Sequence, residues 1–280
     1  MAVFFVSARE DDTIGSKEPG GRSLMRLGVC TSVDRADYVR ECGFDYFEYG
    51  LRRLRETTIE QIREWRTHFD RIGLYPESYN GFFPSDLPIV GERRNLSDIT
   101  DYADELLAKA HELGGQIAVL GSGDARRIPE GSDLKKAEDD FLILLDQLGN
   151  VARRHGIRIV LEPLRAVETN FINTVEEGWT LVHKLGHPQV GIMCDLFHMV
   201  ENGEDLTVLR KTGADLWHVH VSNPLTRHCV GVQDDYDYSR FFHILKEVGY
   251  DSRISIEAIM PNFEQDARIG IQKLKEIFRP

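Results

Sequence analysis

Short apolar runs alternate along the chain with longer stretches of helical period. From Arg26 onward the runs are Leu27–Cys30, Phe44–Tyr49, Leu74–Tyr79, Ile117–Leu120, Ile157–Leu161, Val190–Cys194, Leu216–Val221 and Ile254–Ile259. Most are rich in β-branched or aromatic residues and are followed by a polar segment, the pattern of buried strands. Between them, residues 98–114 place Ile99, Tyr102, Leu106, Ala110 and Leu113 at steps of three and four. Residues 134–154 do the same with Phe141, Leu145, Leu148 and Val151, so both segments are predicted amphipathic helices. Thr57 with Glu60 and Thr174 with Glu177 fit capping boxes. Gly43, Gly73, Gly156 and Gly249 each stand just before a strand, where a preceding helix ends.

Strand then helix, repeated eight times, predicts an α/β fold: a parallel sheet closed into a (β/α)8 TIM barrel. An open doubly wound sheet is the alternative. No break in composition divides the chain, which reads as a single domain over 26–280. Residues 1–25 are read as a flexible N-terminal extension, 9–25 being polar and aperiodic.

Composition narrows the class. A chain of 280 residues, 41% of them hydrophobic, buries a core without staples. Lys and Arg number 34 against 46 Asp and Glu, a net charge of −12 with no basic stripe, which argues against nucleic acid as a partner. No run of about 18 apolar residues exists, so no membrane span is expected. Cys30, Cys42, Cys194 and Cys229 form no C-x-x-C pair and read as reduced thiols of a cytoplasmic protein. Met1 to Ala8 lacks a basic leader and runs into Arg9-Glu10-Asp11-Asp12, a poor secretory signal.

In such barrels the chemistry sits at the carboxyl ends of the strands. Strand five ends in Glu162-Pro163. Strand six ends in Asp195, followed by Leu-Phe-His198. Strand seven reads Leu216-Trp-His218-Val-His220-Val-Ser222, and strand eight ends in Glu257-Ala258. Strict alternation would put Leu216, His218, His220 and Ser222 on one face and Trp217, Val219 and Val221 on the other. His220 is then near the mouth and His218 one layer deeper. Three carboxylates packed together repel strongly unless a cation neutralises them. Oxygen ligands with one imidazole suit Mn²⁺ or Mg²⁺, with Co²⁺ and Zn²⁺ also compatible. The expected metal ligands are therefore Glu162, Asp195, His220 and Glu257. Taken singly, each residue reads as a helix cap, a loop salt bridge or a hydrogen-bonded core histidine; their recurrence on four successive strands favours the metal.

With these residues the chain resembles the xylose isomerase-like barrels, and among them most closely the ketose 3-epimerases typified by D-tagatose 3-epimerase. The resemblance implies one metal ion, commonly Mn²⁺, on Glu162, Asp195, His220 and Glu257, with Glu162 and Glu257 also the catalytic acid/base pair. It implies that Glu168, six residues after Glu162, and His198, three after Asp195, hold substrate oxygens; His218-Val-His220 also matches. One loop departs. The family's Arg six residues past the metal-binding His, followed by Pro-Gly, is replaced here by Thr226-Arg227 and Val230-Gly231. Arg227 is the substitute candidate for substrate binding.

The implied activity is that of an isomerase acting beside a ketose carbonyl through a metal-stabilised enediolate, most closely a ketose 3-epimerase. Aldose–ketose isomerisation, hydroxypyruvate isomerisation and inosose dehydration fit the same site. A sugar-binding barrel without catalysis is the non-enzymatic alternative. The abasic-site endonuclease branch needs further His ligands at the ends of strands two and three, where this chain has Phe47-Glu48-Tyr49-Gly50 and Glu77-Ser78-Tyr79-Asn80. The expected partner is a small sugar or sugar derivative, with homo-oligomerisation left open. Four further features carry two readings or a bland one. Gly121–Arg127 is a turn with solvated arginines, or a seat for a phosphate or carboxylate. The Tyr79–Arg94 loop is a lid or a dimer contact. Glu48 and Glu77, placed near strand ends, support the site or form salt bridges. Asp234, Asp235 and Asp237 form a solvated acidic loop.

Overall fold

The computed structural model describes residues 25–278. The expected extension lies outside them except for Met25, which packs against the core. Eight parallel strands run β1 (Arg26–Val29), β2 (Phe47–Gly50), β3 (Pro76–Asn80), β4 (Ile117–Leu120), β5 (Arg158–Leu161), β6 (Val190–Asp195), β7 (Leu216–Val221) and β8 (Arg253–Ile256). Their order, β1-β8-β7-β6-β5-β4-β3-β2, is that of a barrel. β1 and β2 complete the circle through a bridge between Cys30 and Glu48. The Thr31 N–H donates to the Glu48 carbonyl there at 2.9 Å. The fold is thus the closed TIM barrel rather than the open sheet. β2, β3 and β8 are shorter than the apolar runs that predicted them, since Phe44 and Leu74 precede their strands and Ile259 lies beyond β8 in an isolated bridge to His228.

Nine helices are described: α1 (Ala36–Cys42), α2 (Ile59–Ile72), α3 (Leu96–Glu112), α4 (Leu134–Arg154), α5 (Val175–Leu185), α6 (Leu196–Glu201), α7 (Leu209–Thr212), α8 (Ser239–Glu247) and α9 (Phe263–Phe278). α4 has the predicted bounds, and α3 starts two residues earlier than predicted because Asn95 caps it. α5 carries the predicted Thr174–Glu177 box. The box at α2 is shifted by one residue: Thr58 and Gln61 make it. Thr57 instead bonds the Arg53 carbonyl at 3.0 Å and so belongs to the preceding 3-10 turn. Gly43 and Gly73 end α1 and α2 in the left-handed region, at φ 83° and 63°.

The apolar helix faces, such as Phe141, Leu144, Leu145 and Leu148 of α4, pack on the outside of the barrel. Inside lies a separate small cluster of Ile117, Val119, Val160 and Met193, with Trp217 against it. Trp217 corrects the alternation expected of strand seven. Ile192 pairs with Leu216 and Met193 with His218, so Trp217 is an extra residue in a β-bulge. The bulge sends Leu216 to the outer core and turns Trp217 inward, where its ring covers Gly191. His218 and His220 keep their inward phase. A matching bulge inserts Glu77 between the pairs Phe47–Pro76 and Glu48–Ser78. Glu77 therefore lies at the floor of the barrel, not at a strand end, and accepts from Arg26 Nε (3.0 Å) and Arg253 Nε (2.8 Å). Among the described residues no helix is long and apolar enough to cross a membrane.

The Trp217 bulge leaves no room for a side chain at Gly191. Gly191→Ala should destabilise the fold by about 1–3 kcal/mol in urea unfolding, the ordinary cost of overpacking. An unchanged midpoint would mean that the indole does not lie there.

Candidate active site at the barrel mouth

Glu162 and Glu257 follow directly on β5 and β8, Asp195 ends β6 and His220 stands on β7. Parallel pairing sets Asp195 opposite His220 and His220 opposite Ser255. One ligand atom from each of Glu162, Asp195, His220 and Glu257 lies within 4.8 Å of the others. His220 Nδ1 is 3.4 Å from Glu162 Oε1 and 3.2 Å from Glu257 Oε2. Neither His220 Nδ1 nor Glu162 Oε1 has a hydrogen-bond partner, although both are buried. Buried polar atoms are rarely left so. Three carboxylates and an imidazole gathered at one point, two of their acceptor atoms unpaired, are the donor set that a hard or borderline divalent cation takes. These four residues fit that group.

Their electrostatics differ. Burial, reinforced by Glu257, pushes the Glu162 carboxyl above its ordinary value. Burial acts the same way on Glu257, but His220 and Arg227 outweigh it and hold that carboxyl low. Burial disfavours the charged form of His220, yet Glu48 and Glu257 beside it carry its pKa well above that of a free imidazole. His218 lies one layer down, fully buried, where desolvation lowers its pKa.

A cleft of about 650 Å³ opens over these groups and takes in His198, Glu168 and Arg227. His198 is buried, its Nε2 3.7 Å from Asp195 Oδ2, and its Nδ1 accepts from the Arg165 N–H at 3.4 Å. Glu168 reaches the same cleft but is bound by Arg165 Nε at 2.7 Å. Arg227 spans two of the carboxylates: Nη1 donates to both Asp195 oxygens at 2.8 and 2.6 Å, and Nη2 donates to Glu257 Oε2. Its backbone sits at φ 62°, an uncommon conformation for a side chain this large.

Other features depart from the sequence reading. Arg126 is neither solvated nor an anion seat. It is fully buried and donates to the carbonyls of Leu120 (3.3 Å), Glu162 (2.7 Å) and Ile172 (3.1 Å), and burial lowers its pKa to about 10. Arg127 donates to the Glu168 carbonyl at 2.8 Å. Gly121 makes room for protein, since a Cβ there would collide with Glu162 Oε2. The loop after β3 is anchored by Phe82, Phe83, Ile89 and Val90, all buried. Asp235 and Asp237 are exposed, as expected, whereas Asp234 is half-buried and organises its loop: Asn223 Nδ2 (2.7 Å), Gly231 N–H (2.9 Å) and Tyr236 N–H (3.0 Å) donate to it. Asn80, unremarked in the sequence, ends β3 and donates to Glu257 Oε1 at 3.1 Å. Its only signal was a polar residue on the inward phase of a strand end.

Comparison with known proteins places the fold. A family model described as xylose isomerase-like TIM barrel matches residues 36–277. A D-psicose 3-epimerase of Enterocloster bolteae is 26% identical over 244 residues, 84% of this chain and 78% of that protein. A ketose 3-epimerase of Arthrobacter globiformis is 30% identical over 181 residues, 58% of this chain and 61% of that protein. A crystal structure of D-psicose 3-epimerase in the presence of D-fructose superposes with a TM-score of 0.80 at 16% identity, over 91% of this chain and 100% of that one.

Two substitutions probe the supports of Glu162. Arg126→Met removes three buried bonds to main-chain carbonyls and should cost about 3 kcal/mol in chemical unfolding. Gly121→Ala should leave the unfolding midpoint within about 1 kcal/mol, because the carboxylate can swing aside. It should instead weaken divalent-cation binding in titration calorimetry. Unchanged binding would mean that the Glu162 carboxylate does not need this space.

Proposed function

The chain belongs to the xylose isomerase-like TIM barrel family, and on that premise we propose that it is a divalent-metal-dependent sugar isomerase, a ketose 3-epimerase in its chemistry. The observation that carries this reading is the convergence of Glu162, Asp195, His220 and Glu257 with unpaired acceptors between them. These four would hold the ion, with Mn²⁺ the first choice. Bound there, the cation would polarise the ketose carbonyl and stabilise the negative charge that develops on the sugar oxygens when the neighbouring C–H is broken.

The chain's own part is proton transfer. Glu162 and Glu257 stand on different strands at the barrel mouth, so one can take the proton from one face of the sugar and the other return it to the opposite face. Without the cation the two differ, burial favouring the protonated form of Glu162 while His220 and Arg227 keep Glu257 ionised; a bound cation would hold both as carboxylates. His198, Glu168 and Arg227 line the cleft and would hold substrate oxygens. The substrate is a small ketose or ketose derivative. The cysteines, free among the described residues, suit a cytoplasmic enzyme.

Incubation with a ketose panel and Mn²⁺ in deuterated water should introduce label at the carbon beside the carbonyl. Glu162→Gln and Glu257→Gln should each lower kcat by at least about a hundredfold. Activity retained by either variant sinks the two-base scheme. Mn²⁺ affinity should rise with pH through the neutral range. The raised pKa of His220 means that a proton competes for the nitrogen at lower pH and is released as the metal binds. Affinity that stays flat between pH 6 and 8 would take His220 out of the ligand set.

A further inference from the structure

Beneath the four proposed ligands lies a second carboxylate centre that the reaction scheme does not use. Glu48, on the inward phase of β2, is fully buried. Its Oε1 accepts from His220 Nε2 at 2.9 Å. Its Oε2 accepts from His218 Nε2 at 2.8 Å and from Ser255 Oγ at 2.7 Å. Tyr46 Oη lies 2.8 Å from Ser255 Oγ. Because the serine proton goes to the carboxylate, the tyrosine hydroxyl donates to the serine.

We propose that Glu48 is the positioning residue of the metal centre: by holding the proton on His220 Nε2 it presents Nδ1 to the cation. This rests on the metal reading above. An imidazole that binds a cation is neutral and keeps one N–H, and an ionised carboxylate only accepts. The 2.9 Å bond to Glu48 therefore fixes the proton on Nε2 and leaves Nδ1 facing Glu162 Oε1 and Glu257 Oε2, at 3.4 and 3.2 Å. Without Glu48, nothing would compete with those two carboxylates for the proton. It would settle on Nδ1, and the imidazole would donate to the ligands instead of being one. His218 and Ser255, reaching Glu48 from β7 and β8, keep the carboxylate from rotating away. Histidines that bind metals commonly hand their other nitrogen to a carboxylate in this way.

A purely structural Glu48, pinning β2 to β7 and β8 across the barrel, would cost stability when lost and nothing else. The test is Glu48→Gln, whose amide can accept from one histidine only. With the protein stripped of metal, its melting temperature in EDTA should fall by a few degrees at most. Mn²⁺ titration calorimetry at constant pH should show a Kd about 10–100-fold weaker than wild type. Binding within twofold of wild type in the folded variant overturns the proposal. A second measurement needs no variant. In ¹⁵N-histidine-labelled wild type loaded with diamagnetic Zn²⁺, His220 Nε2 should carry the proton, protected from exchange, with Nδ1 on the metal. A proton on Nδ1 with Nε2 bare overturns the proposal even where Glu48→Gln does not fold. A wild-type chain that binds no divalent cation overturns the metal centre itself, and this inference with it.

Discussion

Glu162, Asp195 and Glu257 bring three like charges to one point at the end of a closed sheet, each with an oxygen within 4.8 Å of the others. In bulk water such crowding would cost little. At a buried strand end the effective dielectric is far lower, and repulsion between carboxylates rises several-fold. The surroundings answer with positive charge and donors. Arg227 bridges Asp195 and Glu257, Asn80 donates to Glu257, and His220 stands between Glu162 and Glu257. Arg126 fixes the main chain at Glu162.

The barrel makes this crowding possible because closure leaves its strands no choice of direction. Inward positions on neighbouring parallel strands stack in layers. The layers here are unlike one another. The floor is an ion cluster of Glu77 with Arg26 and Arg253. Above it lie the apolar patch around Met193 and Trp217 and the polar group of Glu48, His218 and Ser255. The four proposed ligands form the rim. Two bulges, at Trp217 and Glu77, reconcile these layers with the pleat. Each adds a residue low in the barrel and leaves the phase of the mouth intact.

That arrangement explains what the sequence could and could not tell. The convergence of Glu162, Asp195, His220 and Glu257 was legible because three of them close an apolar run and His220 stands on the inward phase one residue before the end of its own, on four successive strands. The helix faces were legible from the 3.6-residue period, and α4 was read to the residue. The bulge at Trp217 was not. One inserted residue leaves no mark in a run already rich in large side chains, so strict alternation misplaced Leu216 and Trp217. Arg126 was misread because an arginine in a Gly-rich turn looks solvated. Only the assembled fold shows three carbonyl oxygens around its guanidinium. Asp234 was misread for the same reason, since its donors come from Asn223, Gly231 and Tyr236 once the loop has folded back.

The two glutamates at the rim are chemically identical, and a reaction that needs one acid and one base must make them differ. The difference here lies in who stands beside each. Arg227 reaches Glu257 and Asp195 but makes no hydrogen bond to Glu162. Burial and the charge of Glu257 favour the protonated form of Glu162, against the opposing pull of His220 and His198. Arg227 reaches its place from a backbone at φ 62°, with its guanidinium 4.6 Å from the centre of the Phe197 ring, a stacking contact that favours this placement. The loop that carries Arg227 therefore adds to the asymmetry of the rim, beside His220. Because Arg227 holds Asp195 and Glu257, two of the four proposed ligands, variation in that loop would act on the cation site and on the charge balance of the rim together.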